Sequence, residues 1–257
     1  MSLQQQFIAF YTLFFKEIKR ILRIWPQTLL PPVITMTLYF LIFGKMIGSR
    51  VGEMGGVSYM QFIVPGLIMM AVITNSYSNV ASSFFSAKFS GSVEEMLVSP
   101  MSKHVILLGY VAGGVFRGLV IALLVTCVAL FFTQLSLAHA VITVLTVVAT
   151  SVLFSLGGFI NAVFARSFDD ISIIPSFVLT PLTYLGGVFY SLKELPEIWQ
   201  TLSLLNPIVY MVNVFRYGIL GYSDVNIWYS IVAIVVFCVG FYGVAYRLLS
   251  RGHRVRL

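Results

Sequence analysis

Charge is what this sequence has least of. Lys, Arg, Asp and Glu make up 10% of its 257 residues, while 59% are hydrophobic. An ordinary soluble domain carries roughly 25% charged residues. A soluble fold with so few charges would expose large apolar patches and associate. Disorder requires the opposite composition, low hydrophobicity with high charge. The remaining class is an integral membrane protein. Cysteine is also scarce: Cys127 and Cys238 both sit in apolar runs, so neither a disulfide framework nor metal-ligand spacing is present. No G-x-x-x-x-G-K-[ST] phosphate loop occurs, which excludes ATP hydrolysis of that kind by this chain.

Runs free of Asp, Glu, Lys and Arg outline the architecture. They are Ile24–Gly44, Met54–Ala87, Gly118–Ala165, Ile171–Leu192, Ile198–Phe215 and Val225–Tyr246. A crossing helix needs about 20 mostly apolar residues. The first, fourth and sixth runs each hold one. The second holds one near Tyr59–Phe84, and the third holds two with a break near Gln134–Ala140. The fifth run is interrupted by Pro207, and the residue before a proline, here Asn206, resists the α conformation. It reads as a broken hairpin that dips into one face of the bilayer.

Six spans put both termini on one side. That side takes twelve of the 16 bases, including Lys16, Lys19, Arg20 and Arg23 before the first span and Arg247, Arg251, Arg254 and Arg256 after the last. Lys45, Arg50, Lys193 and Arg216 fall opposite. The positive-inside rule makes both termini cytoplasmic. Topology thus accounts for the pI of about 9.5 and removes the case for a nucleic-acid partner. Before the first span, Phe7, Phe10, Phe14, Ile18 and Ile21 recur at helical steps beside Lys16, Glu17, Lys19, Arg20 and Arg23. Residues 1–23 are therefore expected as an amphipathic helix in the cytoplasmic interface, without a signal-peptide cleavage site. Residues 24–249 then form the bundle, and 250–257 a basic tail.

An ion-coupled carrier or intramembrane enzyme needs ionisable groups at depth. All nine acids map to loops or helix ends, so neither class finds its residues. Arg117 is the exception. It either snorkels to the inner interface or pairs with an acid of the inner loops such as Glu94 or Glu95.

Between the second and third spans, Ser92 and Glu95 have capping-box spacing, Val93, Met96 and Leu97 share a face, and Ser99-Pro100 stops the helix. Ser102 can cap the third span. The stretch Ser92-Val-Glu-Glu-Met-Leu-Val-Ser-Pro-Met-Ser102 resembles the corresponding loop of ABC-2 type permeases, the membrane subunits of type V ATP-binding cassette exporters. Thr180-Pro-Leu-Thr-Tyr-Leu-Gly-Gly-Val-Phe-Tyr190 through Leu195-Pro196, then Leu205-Asn-Pro-Ile-Val-Tyr210 and Phe215-Arg216, resembles the family's fifth span and re-entrant hairpin.

The resemblance implies an all-α membrane protein: six transmembrane helices, an amphipathic interfacial helix, and a re-entrant hairpin, with Pro196, Asn206, Pro207 and Arg216, between spans five and six. It implies a homodimer in the inner membrane driven by two ATP-binding subunits, which would hold the ATP and Mg. Ser92, Val93, Glu94, Glu95, Met96 and Leu97 would couple to the ATPase, with Asp169 and Asp170 as a second contact unless they only cap their helix. Asn75, Ser76, Tyr77 and Asn79, with Thr180, Thr183 and Tyr184, would line the path unless they bond neighbouring helices. The expected substrate is a hydrophobic drug, lipid or lipid-linked glycan. The competing reading is an ATP-independent carrier or channel.

Overall fold

The computed structural model describes residues 2–251; the expected basic tail beyond Arg251, with Arg254 and Arg256, lies outside them. The described chain is helical apart from a minimal hairpin that pairs Glu53–Met54 with Val57–Ser58. In order the helices are α1 (Leu3–Arg23), α2 (Trp25–Val51, locally widened over Phe40–Ile47), α3 (Tyr59–Phe89), α4 (Ser92–Val98), α5 (Lys103–Ala129), α6 (Ala140–Phe164), α7 (168–184), α8 (Glu197–Ser203), α9 (Pro207–Leu220) and α10 (Ile227–Arg251). Phe89, Lys103 and Phe164 mark the lower end of the bundle; Tyr59, Ala129 and Ala140 mark the upper end.

By length and composition α2, α3, α5, α6 and α10 can each cross a membrane. Helix α3 is the axis: 83% of its most apolar window is buried, against 11% for α2 and α10. Apolar surface gains little by moving from lipid to protein, so close approach through small residues holds such a bundle together. A Cβ on Gly158 of α6 would lie 2.3 Å from the Tyr77 carbonyl oxygen, and one on Gly118 of α5 would lie 2.4 Å from the Ser76 Oγ. The three helices meet at these glycines.

Helix α7 is short, and Pro175 and Pro181 interrupt its hydrogen bonds, but together with the turn that follows it to Phe189 it reaches from the lower end of α3 to the upper end. Phe168 packs on Phe85 and Phe89 at the lower end, with ring centroids 4.9 and 5.4 Å apart. At the upper end the Tyr184 and Tyr39 hydroxyls are 3.1 Å apart, and the Tyr59 hydroxyl donates to the Phe189 carbonyl at 3.2 Å. Helices α8 and α9 meet at 92° and would count as one more span by composition. Their flanking contacts say otherwise. Ser191 Oγ and Leu192 N, just before the pair, both donate to the Asp224 carboxylate just after it, at 2.7 and 3.3 Å. The pair therefore enters and leaves at the same end.

Helix α1 starts at the lower end and climbs beside α5. Gln6 donates to the Pro100 carbonyl and accepts from the Ser102 amide, at 3.3 and 3.0 Å. One turn after another, Leu13 then meets Gly109 and Glu17 meets Gly113. Its first half is level with the lower helix ends, and its second half lies higher, against the bundle.

Candidate functional site

Two loops meet at the lower end. Helix α4 begins after Gly91, whose φ of +77° makes the sharp turn out of α3. This differs from the expected capping box: Gly91 is the cap residue and Ser92 is the first helical residue, its hydroxyl 2.9 Å from that of Ser90. Glu94 and Glu95 still occupy the first turn, where carboxylates complement the helix dipole. Val93 is buried, with Met96 and Leu97 packed against the same cluster. Glu94 and Glu95 are exposed, and so is Val98 at 84%. Val98 was not singled out from the sequence, because a valine at a helix end reads as packing. The second loop comes alongside through Phe168 on Phe89, both more than half exposed. The lower face is thus an apolar patch flanked by Glu94, Glu95 and Asp169. Ser102 caps α5, accepting from the Val105 amide at 3.2 Å.

Asp170 closes a capping box with Ser167, and its carboxylate accepts from the Arg166 and Ser167 amides at 2.8 and 3.2 Å. The Arg166 amide first, and then the Ser167 hydroxyl, hold its carboxyl below the usual value. A lowered pKa makes the ionised cap complete above the unfolded value, about 4, and lost only as the pH falls through the folded one. Asp170→Ala should therefore speed amide exchange at Arg166 and Ser167 at neutral pH; unchanged exchange would contradict this cap.

The polar residues of α3 divide between two faces. Asn75, Ser76, Tyr77 and Asn79 are all buried within the chain. Asn75 Oδ1 accepts from Arg117 at 2.8 Å, and Arg117 also donates to the Thr28 carbonyl at 3.1 Å. Asn79 Oδ1 accepts from Arg20 at 2.8 Å. One turn below, Ser83 donates to Glu17 at 2.6 Å, and Glu17 is ion-paired with Arg20 at 3.2 Å. Tyr77 packs near Gly157 and Phe241. The adjoining stripe of Thr74, Ser78, Ser82 and Ser86 stays at least partly open. On α7, Thr183 is buried and bonds its own helix at Leu179, while Thr180 and Tyr184 remain exposed.

Two expectations are corrected here. Arg117 is buried and, among the described residues, bonds Asn75 and the Thr28 carbonyl with no acid within ion-pair distance. Nor do all carboxylates lie in loops or at helix ends: Glu17 is inside α1 with its side chain 2% exposed, while Asp224 lies in the loop after α9, as expected, and is 1% exposed there. Each is held by an arginine, which is how a buried carboxylate stays tolerable.

The hairpin hangs on the second of these pairs. Arg216 reaches Asp224 at 3.4 Å and the Gly187 carbonyl at 2.6 Å, with its guanidinium 3.9 Å from the centre of the Phe62 ring. Asn206 caps α9 through the Ile208 amide and donates to the Leu182 carbonyl at 2.6 Å. Pro196 precedes α8, and Pro207 occupies the first position of α9, where no amide is needed.

The family profile described as ABC-2 type transporter matches residues 8–220. The chain belongs to this family. The inner membrane transport permease YadH of Escherichia coli strain K12 is 60% identical over 249 residues, 97% of each chain. Nodulation protein J of Rhizobium leguminosarum bv. trifolii is 27% identical over 207 residues, 79% of this chain and 78% of its own. Nodulation protein J of Neorhizobium galegae is 24% identical over 233 residues. The ABC-2 assignment makes this helical bundle an ABC transporter's permease. It also gives the lower-end loops a significance that their packing alone would not.

Proposed function

We propose that this permease forms the translocation path of an inner-membrane ABC exporter as a homodimer. Two separate ATP-binding subunits hold the ATP and Mg and do the hydrolysis. Both termini and the α4 face are cytoplasmic, as the distribution of bases favours. The observation that carries the reading is the outward face of α4. Glu94, Glu95 and Val98 point away from the bundle while Val93, Met96 and Leu97 anchor the helix to it. A helix fixed on one side and presenting acid and apolar groups on the other suits a partner's groove. Closure of the ATPase dimer can shift the spans only through contacts that differ between its two states. Helix α4 and the Phe168–Asp170 turn are where those contacts would act. The substrate class this reading favours is amphipathic, a lipid, a lipid-linked glycan or a hydrophobic drug.

Glu94→Lys combined with Glu95→Lys is expected to reduce co-purification of the ATP-binding subunit at least ten-fold while the permease inserts and melts normally. Full retention of that subunit would remove α4 from the coupling role. The alternative, an ATP-independent carrier, gains some support from buried Glu17. It predicts that no stoichiometric ATPase accompanies the wild-type chain in mild detergent.

A further inference from the structure

The two lower-end loops are joined by more than aromatic packing. Lys88, the penultimate residue of α3, is only 5% exposed, although the next residue, Phe89, is 61% exposed. A lysine at the end of a span ordinarily extends its ammonium to the interface. Lys88 turns inward instead. Its Nζ donates to the Val163 carbonyl and to the Ala165 carbonyl, both at 2.8 Å. These carbonyls close α6, where the last oxygens of a helix lack partners of their own and a cation is favoured. Among the described residues no carboxylate lies within ion-pair distance of Lys88, since the ion pairs found there join Glu17 to Arg20 and Asp224 to Arg216. Both hydrogen bonds that hold the ammonium go to backbone.

The two ends of Lys88 serve different loops. Its carbonyl accepts from the Gly91 amide at 3.1 Å, and the Gly91 carbonyl accepts from the Glu94 amide at 3.0 Å as α4 begins. Its side chain grips the peptide group between Ala165 and Arg166 by the oxygen. Asp170 grips the same group by the nitrogen, since the Arg166 amide donates to its carboxylate at 2.8 Å. An unbroken run of hydrogen bonds thus leads from α4 through Lys88 into the first turn of α7. Phe168 also spans the loops by resting on Phe85 and Phe89, but aromatic rings can slide over one another. An ammonium between two carbonyl oxygens sets position, because a hydrogen bond weakens steeply as its geometry is lost.

We infer that Lys88 is a positioning residue for coupling: it locks α4 and the start of α7 into one unit, so that a shift imposed on α4 reaches α7 in the same step. Energetic coupling is carried by such chains of packed side chains and hydrogen bonds. This rests on the reading of α4 as the helix that the ATP-binding subunit moves, and it names the residue that passes the movement on. Being buried, Lys88 acts through the two loops it holds.

The test is hydrogen exchange read by mass spectrometry on the full-length permease in nanodiscs, alone and with the ATP-binding subunit that co-purifies with it. In the permease alone, Lys88→Met should speed exchange about ten-fold in both loops, residues 90–98 and 165–171, the scale of one hydrogen bond from a charged group. Lys88→Arg still carries donors for both carbonyls and should exchange like the wild type. Acceleration confined to 165–171 would make Lys88 a cap of α6 alone and overturn the inference. So would acceleration that extends into α5, which is general loss of packing, or an arginine variant that behaves like the methionine one. In the complex, trapping with vanadate should change exchange at 92–98 in the wild type and both variants, but at 171–179 only in the wild type and Lys88→Arg. A change at 171–179 that persists in Lys88→Met would overturn the delivery of movement through Lys88. No change at 92–98 in the wild type, or no subunit to trap, would count against the α4 reading, while the permease alone still decides whether Lys88 joins the loops.

Discussion

Asp224→Ala should destabilise this permease more than any other change to its loops. Asp224 holds Arg216, the Ser191 hydroxyl, the Leu192 amide and the Tyr222 hydroxyl at once. Removing one partner of a buried ion pair costs about 3–5 kcal/mol, because the other charge is left uncompensated. Arg216 would keep the Gly187 and Phe62 carbonyls and the Phe62 ring but lose its carboxylate. The expected result is a melting temperature lowered by several degrees in detergent. A cysteine at Trp199 should also label faster as the hairpin loosens. Adding Arg216→Met should recover part of the loss, since an apolar side chain of similar length leaves no orphaned charge. A single variant that melts with the wild type, or a double variant as poor as the sum of both singles, would contradict the hub. The consequence for function is direct. The hairpin reaches the upper end of α7 through Asn206 and Leu182, so its anchorage decides whether that end is held or free.

Gly158→Ala should be the second severe change. The added methyl would sit 2.3 Å from the Tyr77 carbonyl oxygen and 3.1 Å from the Ala81 nitrogen. Backbone cannot swing aside as a side chain does, so α6 would have to move off α3. Overpacking of this kind costs about 1–3 kcal/mol and sometimes more. The contact lies at the axis of the bundle, where displacement would spread to the buried polar ladder of Asn75, Asn79 and Ser83. Folded yield and melting temperature should both fall. Gly243→Ala is the matched control: a Cβ there meets nothing within 4 Å, and alanine favours the helix by up to about 1 kcal/mol. Equal stability of the two variants would show that α3 and α6 do not depend on this approach.

Much of the architecture was legible beforehand for a simple reason. A bilayer rewards long uncharged runs and punishes charges within them, so the positions of Asp, Glu, Lys and Arg mark the crossing segments. The break near Gln134–Ala140 and the bend at Asn206-Pro207 follow from residues whose own chemistry interrupts a helix. The α4 helix was legible too, from Ser99-Pro100 and the spacing of Val93, Met96 and Leu97. Its cap was not, because Ser92-x-x-Glu95 fits the box pattern equally well whether or not Gly91 takes the turn. Val98 was missed because nothing in a sequence says which side of a short helix the bundle leaves uncovered.

The polar residues of α3 show the limit most clearly. Sequence groups Asn75 to Asn79 as a single polar stretch. The helix splits them by rotation, turning Asn75 and Asn79 toward Arg117 and Arg20 and leaving Thr74 and Ser78 toward the opening. Glu17 belongs to the same lesson: its place among lysines and arginines reads as a solvated face, yet α1 climbs beside α5 and buries it against Ser83.

By itself the sequence determined that the chain is an all-helical membrane protein, roughly where its helices cross, and which loops break them. These are properties of each segment against its solvent, and lipid reads them one segment at a time. Only the tertiary structure decided which charges are buried in pairs and which polar stripe stays open. Those depend on the rotation and register of one helix against another, set by close packing at glycines and by hydrogen bonds between residues up to 154 positions apart, as from Arg216 to the Phe62 carbonyl.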